Sequence, residues 1–94
     1  MPEGKLCVFT NHYSEIEGFQ ASRTVTYCAE PTPEGVRLSV RQESGSDLHT
    51  ESCICPTEVS ERVASFLRYI CENSIGVGGW YDILQDRGIL FQVL

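Results

Sequence analysis

The stretch PTEVSERVASFLRYICENSIGVGGWYDILQDRG, residues 56–88, carries the only long helical period in the chain, its densest glycine cluster and its single tryptophan. Val59, Val63, Phe66, Leu67, Ile70 and Cys71 recur at the spacing of one apolar stripe on a helix. Glu58, Glu61, Arg62, Ser65, Arg68 and Glu72 fall on the opposite, solvent-facing side. Pro56 ends whatever precedes it. Thr57 can accept a bond from an orphan backbone N–H of the first turn, and Glu58 complements the positive end of the helix dipole. Asn73 and Ser74 weaken the far end, and Gly76 is the expected left-handed terminator. A helix is therefore predicted over roughly 58–74. Being amphipathic, it needs an apolar surface to lie on.

Beyond the glycines a second, shorter helix is predicted over roughly 80–87. Gly79 is its N-cap, Asp82 stands at N3 beside the exposed N–H groups, and Arg87 and Gly88 close it. Trp80, Ile83 and Leu84 give it a short apolar face. Ile75 and Val77 are expected inside the bend between the two helices.

The surface for these helices must come from the first half of the chain, which reads as β-structure. Strands are predicted over roughly 5–12, 22–29, 35–42 and 48–55. Val36, Leu38 and Val40 alternate without a fault with Arg37, Ser39 and Arg41. Closing residues 31–34 as a four-residue loop sets Ala29 against Val36, Tyr27 against Leu38 and Val25 against Val40, all on one face. For the next hairpin a three-residue turn, 44–46, pairs Val40 with Thr50, Leu38 with Ser52 and Val36 with Ile54. It keeps the Glu51 carboxylate in water, where a charge is cheapest. It also leaves His49, Glu51, Cys53 and Cys55 on the outer face. Residues 14–21 read as a loop anchored by Ile16 and Phe19. The apolar tail ILFQVL must pack, and a short strand over 89–93 is expected. The fold class is thus α+β, one domain over 1–94: a four- or five-stranded antiparallel meander with two C-terminal helices on one face.

Ninety-four residues make one domain, and an apolar fraction of 41% suffices for a core. The formal charge of −6 argues against binding a phosphate backbone or an anionic membrane surface. No apolar run approaches the ~20 residues of a membrane span. The N-terminus lacks the features of a signal peptide, so a cytoplasmic location is expected. Five cysteines, an odd count at irregular spacing, read as reduced thiols in or near the core.

The order Tyr27-Cys28-Ala29-Glu30, the strand GVRLSV at 35–40, a short acidic strand and the helix of 57–73 resembles a family of small uncharacterised bacterial proteins, a domain of unknown function. Asn73 near the helix end and the run Tyr81-Asp82-x-Leu84-x-Asp86 belong to the same likeness, which spans roughly residues 24–86. The resemblance implies a bacterial source and no activity, cofactor or catalytic residue.

Several constellations have residue types that could carry chemistry. Gly76, Gly78 and Gly79 before a helix offer bare N–H groups to an anion, but the Lys-Ser/Thr of a phosphate loop is missing and a helix precedes them. The plainer reading is a tight corner that needs left-handed backbone. Trp80 and Tyr81 beside them are the residue types most enriched at binding hot spots, with Trp80 read as core and Tyr81 as the more exposed. These five residues form the candidate binding corner. His49, Cys53 and Cys55, with His12 as a further ligand, are the alternative metal set. On an extended strand His49 and Cys55 stand about 20 Å apart, too far for one ion. Asp82 and Asp86, one turn apart, read as solvated charges at the helix ends. No catalytic set or cofactor is expected. The functional expectation is a non-catalytic binding or regulatory module acting through protein–protein contact, with a protein partner or as a homodimer. The alternative is a small enzyme or metal-dependent protein using Cys53, Cys55 and a histidine.

Overall fold

The computed structural model describes residues 7–14, 18 and 22–94. Its order is β1 (Cys7–Tyr13), β2 (Arg23–Thr32), β3 (Gly35–Ser44), β4 (Asp47–Cys55), a 3-10 turn (Thr57–Val59), α1 (Ser60–Glu72), α2 (Trp80–Asp86) and β5 (Gln92–Val93). The strands form one antiparallel sheet in the order β1-β2-β3-β4-β5, each beside its neighbour in sequence. The α+β meander with two helices on one face is therefore present, with the tail as its fifth strand. The expected loop anchors Ile16 and Phe19, and the Val59 side chain of the helix stripe, lie outside the described residues.

One face of the sheet is covered. Val25, Tyr27 and Ala29 of β2, Val36, Leu38 and Val40 of β3, and Cys53 and Cys55 of β4 are buried against Val63, Phe66, Leu67 and Ile70 of α1 and Trp80 and Leu84 of α2. The apolar stripe of α1 is thus its buried face. The helix lies nearest β1 and β2 rather than β3. Among the described residues no helix is long and apolar enough to cross a membrane.

Two registers differ from expectation. The β2–β3 turn has two residues, Pro33 and Glu34, not four, so Ala29 faces Leu38, Tyr27 faces Val40 and Val25 faces Gln42. The Thr32 hydroxyl donates to the Gly35 carbonyl (2.9 Å) and accepts from the Glu34 N–H (3.2 Å), which tightens the turn, and Pro33 presets its first corner. The shift is even, so the face is unchanged. The β3–β4 turn is also two residues, Gly45 and Ser46, with Gly45 at positive φ. Here the shift is odd, and it turns β4 over. Cys53 faces Leu38, Cys55 faces Val36 and Glu51 faces Val40, all on the covered side. The expectation that His49, Glu51, Cys53 and Cys55 lie on the outer face is corrected: all four share the covered parity, His49 being opposite Gln42 and exposed near the turn. Burying two small apolar thiols outweighs exposing one carboxylate once that carboxylate finds donors.

The end of α1 is also corrected. The chain turns at Ser74, the one non-glycine residue at positive φ among those described, and not at Gly76. Ser74 N–H bonds to the Cys71 carbonyl (3.2 Å) and Ile75 N–H to that of Ile70 (2.9 Å). That is the paired 5→2 and 6→1 pattern of a Schellman stop. At the end of α2 the same pattern recurs with Gly88 in the left-handed position, its N–H on Gln85 and that of Ile89 on Leu84.

Candidate functional site

The glycine corner between α1 and α2 rests on the exposed half of the covered face. Side chains of β1, β2 and β4 tie it down. Asn11 of β1 donates to the Cys71 carbonyl at 2.7 Å, closing the last turn of α1 onto the sheet edge. The phenol of Tyr27 donates to the Ile75 carbonyl at 2.7 Å. Burial, with Tyr13 and Cys71 nearby, pushes Tyr27 up to about 12, so the donor stays protonated across the ordinary range.

Glu51 holds the middle of the corner. One carboxylate oxygen accepts from the Gly78 N–H at 2.7 Å and from the indole N–H of Trp80 at 2.9 Å. The anion position offered by the glycines is therefore filled from within. It is filled by Glu51 of β4, however, and not by Asp82, which is exposed in the first turn of α2. Gly78 has φ +93°, a conformation side chains resist, so its place is set by the turn. Gly76 has no such backbone demand: a Cβ there would meet only the Gln42 side-chain oxygen at 2.8 Å, the movable end of a flexible side chain. Gly79 is the N-cap residue of α2.

Trp80 is fully buried beneath this carboxylate. Tyr81 is half-buried; its hydroxyl donates to the Ser52 carbonyl at 3.0 Å. Its ring stacks between Trp80 (centroids 4.3 Å apart) and Phe91 of the tail (5.8 Å). The five candidate residues are thus brought together, and their polar groups are directed at the sheet. An aromatic stack joined to the half-buried Glu51 carboxylate braces the corner between the two helices.

The alternative set is differently placed. Cys53 and Cys55 lie in the core beside each other, while His49 is exposed near the β3–β4 turn. His12 is exposed on the other edge of the sheet, 3.1 Å from the Thr24 hydroxyl. Among the described residues no group of three histidine, cysteine or acidic side chains converges. The hydrogen bond with Cys55, and then burial, pushes Cys53 up, and the same bond pulls Cys55 down; burial with the Glu72 charge raises Cys71. Cys53 and Cys71 are held as thiols, the unreactive form.

Sequence reasoning missed Glu51 as the partner of the corner. The signal was present in the alternation of β4: Glu51 shares its parity with two cysteines, and cysteine is among the most buried residue types. A second missed feature is an apolar rim at the far edge of the sheet. Leu90 is 77% exposed, Val93 56% and Leu94 64%. Phe91 and Ile54, both half-buried, line an adjoining open hollow of about 320 Å³ with Pro56 and Leu90. Among the described residues β5 pairs only with Cys53 and Ile54, and its outer side meets no further strand of the sheet. Comparisons with protein-family models, with curated proteins and with solved structures find no match to this chain.

Proposed function

We propose that the protein is a non-catalytic binding module that acts through protein–protein contact, and that the contact runs along the β5 edge. The observation that carries this reading is the run of exposed Leu90, Val93 and Leu94 beside the half-buried Phe91 and Ile54. Scattered surface leucines are ordinary, but a contiguous apolar rim on an open strand edge is the pattern of an interaction surface. An added strand would bond to the free side of β5 and cover these side chains. The glycine corner is compatible with the same reading, since Glu51 already occupies the Gly78 and Trp80 N–H groups that a small ligand would need. The likeness of residues 24–86 to small bacterial proteins of unknown function belongs to this proposal and adds no activity to it.

The partner is either a second copy or another protein. Size-exclusion chromatography with light scattering separates these. Self-association that rises with concentration and is lost in Val93→Glu supports the homodimer. A strict monomer at high concentration excludes it, and the native host lysate is then probed with the chain and with Val93→Glu. A partner retained equally by both would remove the β5 edge from the proposal.

A further inference from the structure

A cleft of about 550 Å³ lies between the start of α1 and the end of α2, lined by Glu61, Arg62, Ser65, Arg87 and Ile89. It is remote from the glycine corner. Its charge, two arginines against the single carboxylate of Glu61, is opposite in sign to that of the whole molecule, which carries 13 acidic against 7 basic side chains. Arg41 and Arg68 are neutralised by Glu43 (3.6 Å) and Glu72 (3.2 Å). Arg62 and Arg87 are not: among the described residues no carboxylate comes within 4 Å of either guanidinium.

Both guanidiniums are nonetheless held in place. Arg62 donates from Nη2 to the Arg87 carbonyl at 2.6 Å. Arg87 lies over the ring of Tyr69, 4.4 Å from its centroid. The first contact alone would be explained as a cation closing the carbonyl end of α2. It also draws a second positive charge toward the residue that carries the first. Like charges gathered around one cleft repel, and an anion between them converts that repulsion into attraction. The Ser65 hydroxyl adds a donor on the same wall, and the nearly buried Ile89 closes the floor.

We propose that this cleft binds a phosphoryl group, with Arg62 and Arg87 sharing its charge and Ser65 as a further donor. A guanidinium fork matches phosphate oxygens two at a time, and a group of charge −1.5 to −2 balances two such forks, where a carboxylate balances one. Glu61 also lines the cleft, and its carboxylate offsets part of the attraction that the two arginines exert on any anion.

The test is an amide NMR titration of the full chain with inorganic phosphate, run beside acetate and chloride at matched ionic strength. Saturable shifts centred on Arg62, Ser65 and Arg87, at roughly millimolar affinity and stronger than with acetate, are expected. Arg87→Gln removes one charge while keeping the backbone carbonyl that anchors Arg62, and should weaken binding by about tenfold. A thermal melt of that variant checks that the fold is kept; Arg62→Gln is the second variant. Shifts that never saturate, that acetate matches, or that survive both substitutions would overturn the proposal.

Discussion

The two faces of this sheet come from the same strands and share the same backbone, yet they are built by different rules. On the covered face, Tyr27, Val40, Leu38 and Cys53 meet Phe66, Ile70 and Trp80, and Asn11, Tyr27 and Glu51 at the corner each have a named partner. On the open face, Thr26 pairs across with Arg41 and Arg41 with Thr50, while Ser39 and Ser52 touch at 3.2 Å. Those residues are solvated, and their neighbours constrain them little. The contrast teaches that the helices, rather than the strands, decide which half of each strand's alternation carries stability.

The contrast can be broken most severely at Phe66. Replacing it with Ala removes a fully buried ring from the covered face and should cost about 3–5 kcal/mol in a denaturant melt. A loss under ~1 kcal/mol would mean that the helix stripe is not the buried one. Next comes Glu51→Ala, which strips the acceptor from the Gly78 and Trp80 N–H groups and should cost about 1–3 kcal/mol. Glu51→Gln keeps an acceptor oxygen and should recover much of that loss. Equal losses for the two variants would show that packing, not the hydrogen bonds, holds the corner.

Tyr27→Phe is a milder probe, at about 1 kcal/mol, because it deletes one bond to the Ile75 carbonyl. Its pH dependence has a definite sign. The folded state holds the phenol near 12, against 10.0 for the ordinary group. The wild-type advantage is therefore complete below about pH 10 and declines as pH rises toward 12, where the unfolded chain ionises first. Urea midpoints of the two proteins should converge over that window; a constant gap would refute the assignment. The smallest effect belongs to the open face. Thr50→Ala should stay within about 0.5 kcal/mol of wild type, and a larger loss there would mark that face as packed against something.

This asymmetry explains what the sequence disclosed. In β3 every apolar residue from Val36 to Val40 sits on one parity, so the covered face was legible from alternation alone. The stripe from Val63 to Ile70 was equally plain, as was the core reading of Trp80; of the tail expected to pack as a strand over 89–93, only Gln92–Val93 is strand, and Leu90, Val93 and Leu94 are exposed. β4 was misread because both of its parities mix apolar and polar side chains. Its true face includes Glu51, whose donors lie 27 and 29 residues further on. A rule that prices a buried carboxylate without knowing its partner must turn that strand over. The stop of α1 was missed for a local reason: its hydrogen-bond pattern needs a left-handed residue, which glycine at 88 advertises and serine at 74 does not. The candidate corner was found as a place and not as a device, since its glycines and aromatics are adjacent in sequence while the groups that fix them are on β1, β2 and β4.

The strand order has a consequence in time as well as in space. Each strand pairs with its successor across a short link at β2–β3 and β3–β4, so these ladders close small loops and form at little entropic cost. The contacts of the helical half are far more distant along the chain: Asn11 reaches Cys71 across 60 residues and Tyr27 reaches Ile75 across 48. The three-stranded ladder should accordingly assemble ahead of the docking of α1 and α2. In a chevron series, Val40→Ala should slow folding, whereas Tyr27→Phe should chiefly hasten unfolding. The meander would then be the template on which the helices settle, and the Glu51 carboxylate a late fastening rather than an early one.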